Sequence, residues 1–130
     1  MSRQRFINRL LGGDQEREPV AVMVISSDGT LTWGNPAMHR MLGYAMGTLR
    51  GLRVVDVLPD HMEFLHAVFM GHPTPRIQTS LPKTDGRWVD VSLTAQPMNR
   101  EAGEIGAVAI LCRALPPWHI ILEPKQAHSA

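Results

Sequence analysis

The apolar residues of this 130-residue chain change their spacing twice, and that order limits the fold more than any single motif does. Val20 to Ile25 is a β-rich run, resumed by Leu31-Thr32-Trp33 after a turn at Asp28-Gly29 whose glycine needs positive φ. Helical spacing follows. Asn35 is the expected N-cap, Pro36 the first helical residue, Met38, Met41 and Leu42 the apolar face, and Gly43 the stop. From Tyr44 to Pro59 the chain is broken by Gly47, Gly51 and Pro59 and has room only for one-turn helices. Asp60 is the expected cap of the longest helix, His61 to Met70, with Met62, Phe64, Leu65, Val68 and Phe69 at helical spacing and Gly71 at its end. The strand period returns at Arg76. Ile77 to Leu81, a Thr84-Asp85-Gly86 turn, Trp88 to Leu93, a polar loop at Asn99 to Glu104 and Ile105 to Cys112 give three further strands. Strands, then helices, then strands is the order of an α+β fold with an antiparallel sheet. The helices must cover one sheet face, and Gly106, Ala107 and Ala109 are expected to leave room between the layers.

Composition narrows the function classes. The chain is long enough for one cored domain, and 13 Lys+Arg against 12 Asp+Glu create no basic field for nucleic acid. Cys112 is the only cysteine, which excludes an intramolecular disulfide and any multi-cysteine metal site and makes a reducing, cytoplasmic setting the expectation. No run approaches the roughly 18 apolar residues of a membrane span. Residues 1–18 read as an amphipathic helix (Phe6, Ile7, Leu10, Leu11) and a linker, 19–114 as the domain, and 115–130 as an extension containing Trp118 to Leu122. Either flank could pack on its own domain or join two subunits.

Six passages in order resemble a PAS domain, the sensory module of bacterial signalling proteins, over about Pro19 to Arg113. They are Pro19 to Ile25 with Asp28-Gly29; Trp33-Gly34-Asn35-Pro36-Ala37; Met41-Leu42-Gly43-Tyr44; Val57-Leu58-Pro59; Asp85 to Val91; and Gly106 to Leu111. The resemblance implies a five-stranded antiparallel sheet covered on one face by short helices plus one longer helix. It also implies a non-enzymatic sensory and interaction module of two-component regulation, with a small-molecule ligand, a protein partner and a homodimer as its expected company.

The cofactor is left open by the resemblance. Members that form a flavin adduct or carry a covalent cinnamate need a thiol in the helical half, whereas Cys112 falls in the last strand. Haem-binding members place an axial histidine on the long helix, and His61-Met62-Glu63-Phe64-Leu65 is similar to their local pattern. At ~100° per residue His61 projects with Leu65 and Val68, and His66 toward the edge of that stripe. His61 is therefore the candidate metal ligand, with Leu65 and Val68 beside it and Arg76 or Met98 as candidates opposite the iron. Non-covalent flavin is the second option, with Trp33 and Asn35 as pocket residues; core packing and helix capping are the plainer roles for that pair.

An enzyme of the small cavity type, with a carboxylate base in an apolar pocket, is the alternative outside the family, and Asp56 or Asp90 would carry it. Asp56 is more simply a cap among short helices, and Asp90 alternates with Val89 and Val91 so as to face water. No phosphate loop, nucleophile elbow or helical zinc motif is present.

Overall fold

The computed structural model describes residues 20–101 and 103–116, with residues 99–101 described by backbone only. The expected helix at Phe6 to Leu11 and the Trp118 to Leu122 run lie outside the described residues. The elements are β1 (Ala21–Ser26), β2 (Leu31–Gly34), α1 (Pro36–Leu42), α2 (Val54–Val57), α3 (Met62–Phe69), β3 (Ile77–Pro82), β4 (Trp88–Glu101) and β5 (Glu104–Ala114). The five strands form one antiparallel sheet in the order β2-β1-β5-β4-β3. The sheet closes by pairing β1 with β5, Ala21 beside Cys112 and Ser26 beside Ala107, so the first of the described strands lies next to the last.

Alternation along these strands assigns their faces. Met23, Ile25, Leu81, Leu93 and Ile110 point to the helices and pack with Leu42, Leu49, Leu65 and Val68 in the main core. Val20, Val22, Val24 and Ala107 form a second buried cluster on the other face, with Trp33, Met98 and Leu111 packed against it. Ala107 and Ala109 pair with Ser26 and Val24 and so lie on this outer face, and Gly106 is exposed. The expectation that these small residues make room beneath the helices is therefore corrected. The helix side of β5 carries Val108, Ile110 and Cys112, all fully buried.

Two boundaries differ from the sequence reading. The cap of α3 is His61, not Asp60, because a turn closed by the His61 N–H donating to the Leu58 carbonyl holds the chain out of helix for one more residue. The residues read as a polar loop from Asn99 are mostly strand: the β4–β5 ladder runs on to Glu101 beside Glu104, and Gly103 at φ 84° makes the reversal.

Candidate functional site

Each residue singled out from the sequence has a definite place. Asn35 is the N-cap of α1, and both its amide oxygen and its amide nitrogen are hydrogen-bonded. Oδ1 accepts from Met38 N–H at 2.9 Å and Val22 N–H at 3.0 Å, and Nδ2 donates to the Val20 carbonyl at 2.9 Å. One side chain thus caps a helix and ties it to β1. Trp33 pairs with Val24 on the outer sheet face and lines a surface groove of about 340 Å³ with Pro36, Met46 and Arg50. Leu65 and Val68 face the core and are 3% exposed.

His61 is also buried, and its Nε2 lies 3.1 Å from Thr79 Oγ1 on β3. The contact pins the start of α3 to the sheet. An axial histidine must offer a ring nitrogen to open space above it. Here the Nε2 is engaged by Thr79, and the cavity beside α3 is lined by His66 instead. The residues as placed do not fit haem on His61. Arg76 and Met98, the candidates for the opposite side of an iron, lie on the outer face of the sheet. Trp33 and Asn35 do not line the cavity either, so the five residues do not form one site.

That cavity, of about 390 Å³, lies where α3 passes the end of β1 and the β1–β2 turn. Met62, Leu65, His66 and Phe69 come from α3; Ile25, Ser27 and Gly29 come from the strand and turn, and Val54 from α2. The volume falls within the roughly 300–1,000 Å³ of small-molecule sites. Its wall is apolar except for Ser27, His66 and backbone, and among the described residues no Asp, Glu, Lys or Arg lines it. The sequence reading reached Leu65 and missed the rest. A signal existed: Met62, His66 and Phe69 recur at i, i+4 and i+7 and mark a second stripe flanking the core stripe.

The loop beside α1 is held by a histidine that the sequence did not point to. His39, 3% exposed, has Nδ1 3.0 Å from the Asn35 carbonyl, and its Nε2 accepts from Gly47 N–H at 3.1 Å and Leu49 N–H at 3.4 Å. That pattern requires the neutral Nδ1–H tautomer.

The remaining reactive groups have no place in the cavity. Cys112 is buried in β5, and burial pushes its thiol pKa far up, so it stays protonated. Asp56 is exposed on α2; Asp90 lies on the outer face, accepting from the Ser80 hydroxyl at 2.5 Å. Among the described residues there is no group of three or more His, Cys, Asp or Glu placed to hold a metal ion. No helix among them is long and apolar enough to cross a membrane.

Comparison with solved structures finds the same architecture. The chain is similar to the light-oxygen-voltage protein of Rhodobacter sphaeroides (15% identity, TM-score 0.65, covering 88% of this chain and 70% of that one). It is similar to the PAS domain of an HTR-like protein from Haloarcula marismortui (22%, TM-score 0.57, 87% and 100%). A PAS domain from a two-component sensor histidine kinase matches at 15% identity and TM-score 0.61, covering 85% of this chain and 95% of that one. No curated protein sequence matches the chain. A profile of the PAS fold matches residues 16–115, which takes in every strand and helix described above. With its five-stranded sheet, its helical cover and that match over most of its length, the chain belongs to the PAS-fold family.

Proposed function

We propose that this chain is a non-enzymatic sensory and protein-interaction module of bacterial signal transduction that reads a small ligand held between α3 and the β1–β2 turn. The observation that carries the reading is the 390 Å³ apolar cavity, which touches three separate elements of the fold: α3, α2 and the end of β1. A ligand there presses α3 outward. The His61–Thr79 contact couples that movement to β3, and the β1–β5 ladder couples the turn to both ends of the domain. A protein partner receives the change, the first candidate being a second copy of the chain. The lone buried thiol supports a reducing, cytoplasmic setting.

The test is a thermal-shift screen of neutral aromatic compounds, benzene to naphthol in size, paired with an absorption spectrum of protein from cells supplied with haem precursor. The expected result is a concentration-dependent rise in Tm, abolished in Met62→Trp, which fills the cavity from a partly exposed position. No Soret band is expected. A stoichiometric Soret band lost in His61→Ala would overturn this reading in favour of the haem sensor.

A further inference from the structure

The outer face of the sheet carries a second, chemically opposite depression. Its position follows from the register. Ser92 pairs with Arg113 and Thr94 with Leu111 across β4 and β5. Arg76 comes one residue before Ile77, which pairs with Leu93, so it stands beside Thr94 on the far side of β4. Two arginines therefore flank one strand, about 12 Å apart at the main chain given two strand spacings across and two residues along, with two hydroxyls between them. These four residues, with Val20 and Leu111, enclose a depression of about 190 Å³.

Three of the four polar groups are idle. Neither the Ser92 nor the Thr94 hydroxyl, nor the Arg76 guanidinium, has a hydrogen-bond or ion-pair partner among the described residues. Arg113 does have an interaction within the fold, and its guanidinium carries five donors. Both hydroxyls are half-buried and line the depression.

We propose that this depression binds a small phosphate-bearing anion. All four side chains can donate, and they approach from both sides of β4. A carboxylate offers two oxygens in one plane and is satisfied by a single forked arginine; a phosphate presents three or more oxygens in different directions and matches four separated donors. The opposing group is Asp90, two residues before Ser92 on the same face, whose carboxylate is held by Ser80. Its negative charge weakens an anion at Ser92 and sets a direction for the test. The site is on the sheet face away from the α3 cavity and does not depend on it.

The experiment is an amide NMR titration of the full chain with inorganic phosphate, at constant pH and ionic strength against chloride, and in parallel with glycerol 3-phosphate and acetate. Saturable shifts are expected at Arg76, Ser92, Thr94 and Arg113 with both phosphates, free or esterified according to which binds more tightly. Arg76→Gln and Thr94→Val should each weaken binding about tenfold, and both substitutions lie at solvent-facing positions where the spectrum reports directly whether the fold is kept. Asp90→Asn, which can still accept from Ser80, should tighten it. Shifts that fail to saturate, that acetate reproduces, or that persist unchanged in Arg76→Gln overturn the proposal.

Discussion

A single imidazole ring does the work of a short stretch of secondary structure in this protein. His39 satisfies two backbone N–H groups of the Gly47–Leu49 loop through one nitrogen and a helix carbonyl through the other. Replacement by Ala leaves those amides without their acceptor and a void next to Gly34, and should cost about 3 kcal/mol in urea unfolding. Glutamine cannot place one acceptor and one donor at the two ring positions, so His39→Gln should recover less than half of that loss. Asp28 supplies the other residue-scale prediction. The Ser26 hydroxyl first, then Thr30 through side chain and backbone, hold its carboxyl below the usual carboxylate range. A depressed pKa contributes stability that is fully present above the unfolded value of about 3.9 and is lost as pH falls through the folded one. Urea midpoints compared at about pH 5 and about pH 2.5 should therefore fall further for the native chain than for Asp28→Asn. The turn role of Asp28 was legible in its neighbour Gly29. The role of His39 was not, because its partners are main-chain amides, which every residue type carries.

At the scale of elements, α1 shows how local chemistry and tertiary contact agree. Asn35, Pro36 and Gly43 give a cap, a fixed first turn and a left-handed stop at φ 88°, and all three were readable from residue type. What sequence could not show is that one end is also tied to a strand and the other to the turn between β3 and β4. The Asn35 side chain makes two hydrogen bonds to Val20 and Val22 at the start of β1, and at the other end Thr84 donates from its backbone to Leu42 and from its hydroxyl to Gly43 at 2.9 Å. A Cβ at Gly43 would stand 2.5 Å from Thr84 Oγ1 in a backbone region that L side chains avoid. Gly43→Ala should cost about 2 kcal/mol, more than the ~1 kcal/mol of an ordinary left-handed cap, as read from the urea midpoint. The helical stripes of α3 were legible in the same way. Which stripe meets a cavity depends on where the β1–β2 turn comes to rest, a long-range outcome that spacing along one helix does not contain.

For the whole molecule, the division into two faces decides what each half of the sheet can do. The helix side is apolar and holds the cavity; the outer side is apolar over β1 and polar over β4. Alternation in the strands made the existence of two faces readable. Ala107 and Ala109 were misassigned because a run in which apolar residues occupy both faces has no polar partner to mark the outside. Cys112 reports on the integrity of the whole: fully buried, with its thiol kept protonated, it should react with a thiol reagent only through opening of the sheet. Its modification rate should then follow global stability across the His39 and Gly43 variants. A variant that loses stability with no gain in thiol reactivity would show that β5 stays closed while the helical side opens.

The pairing of β1 with β5 has a mechanical side. Because Ala21 and Cys112 are partners at the margin of an antiparallel ladder, a force that draws residues 20 and 116 apart acts across the strands and not along them. It loads one pair of hydrogen bonds at a time, starting from Ala21 and Cys112 and running toward Ser26 and Ala107, like a zip opened from its tab. A domain held this way should yield to pulling at its two ends at far lower force than its chemical stability suggests, and should re-close from the same place.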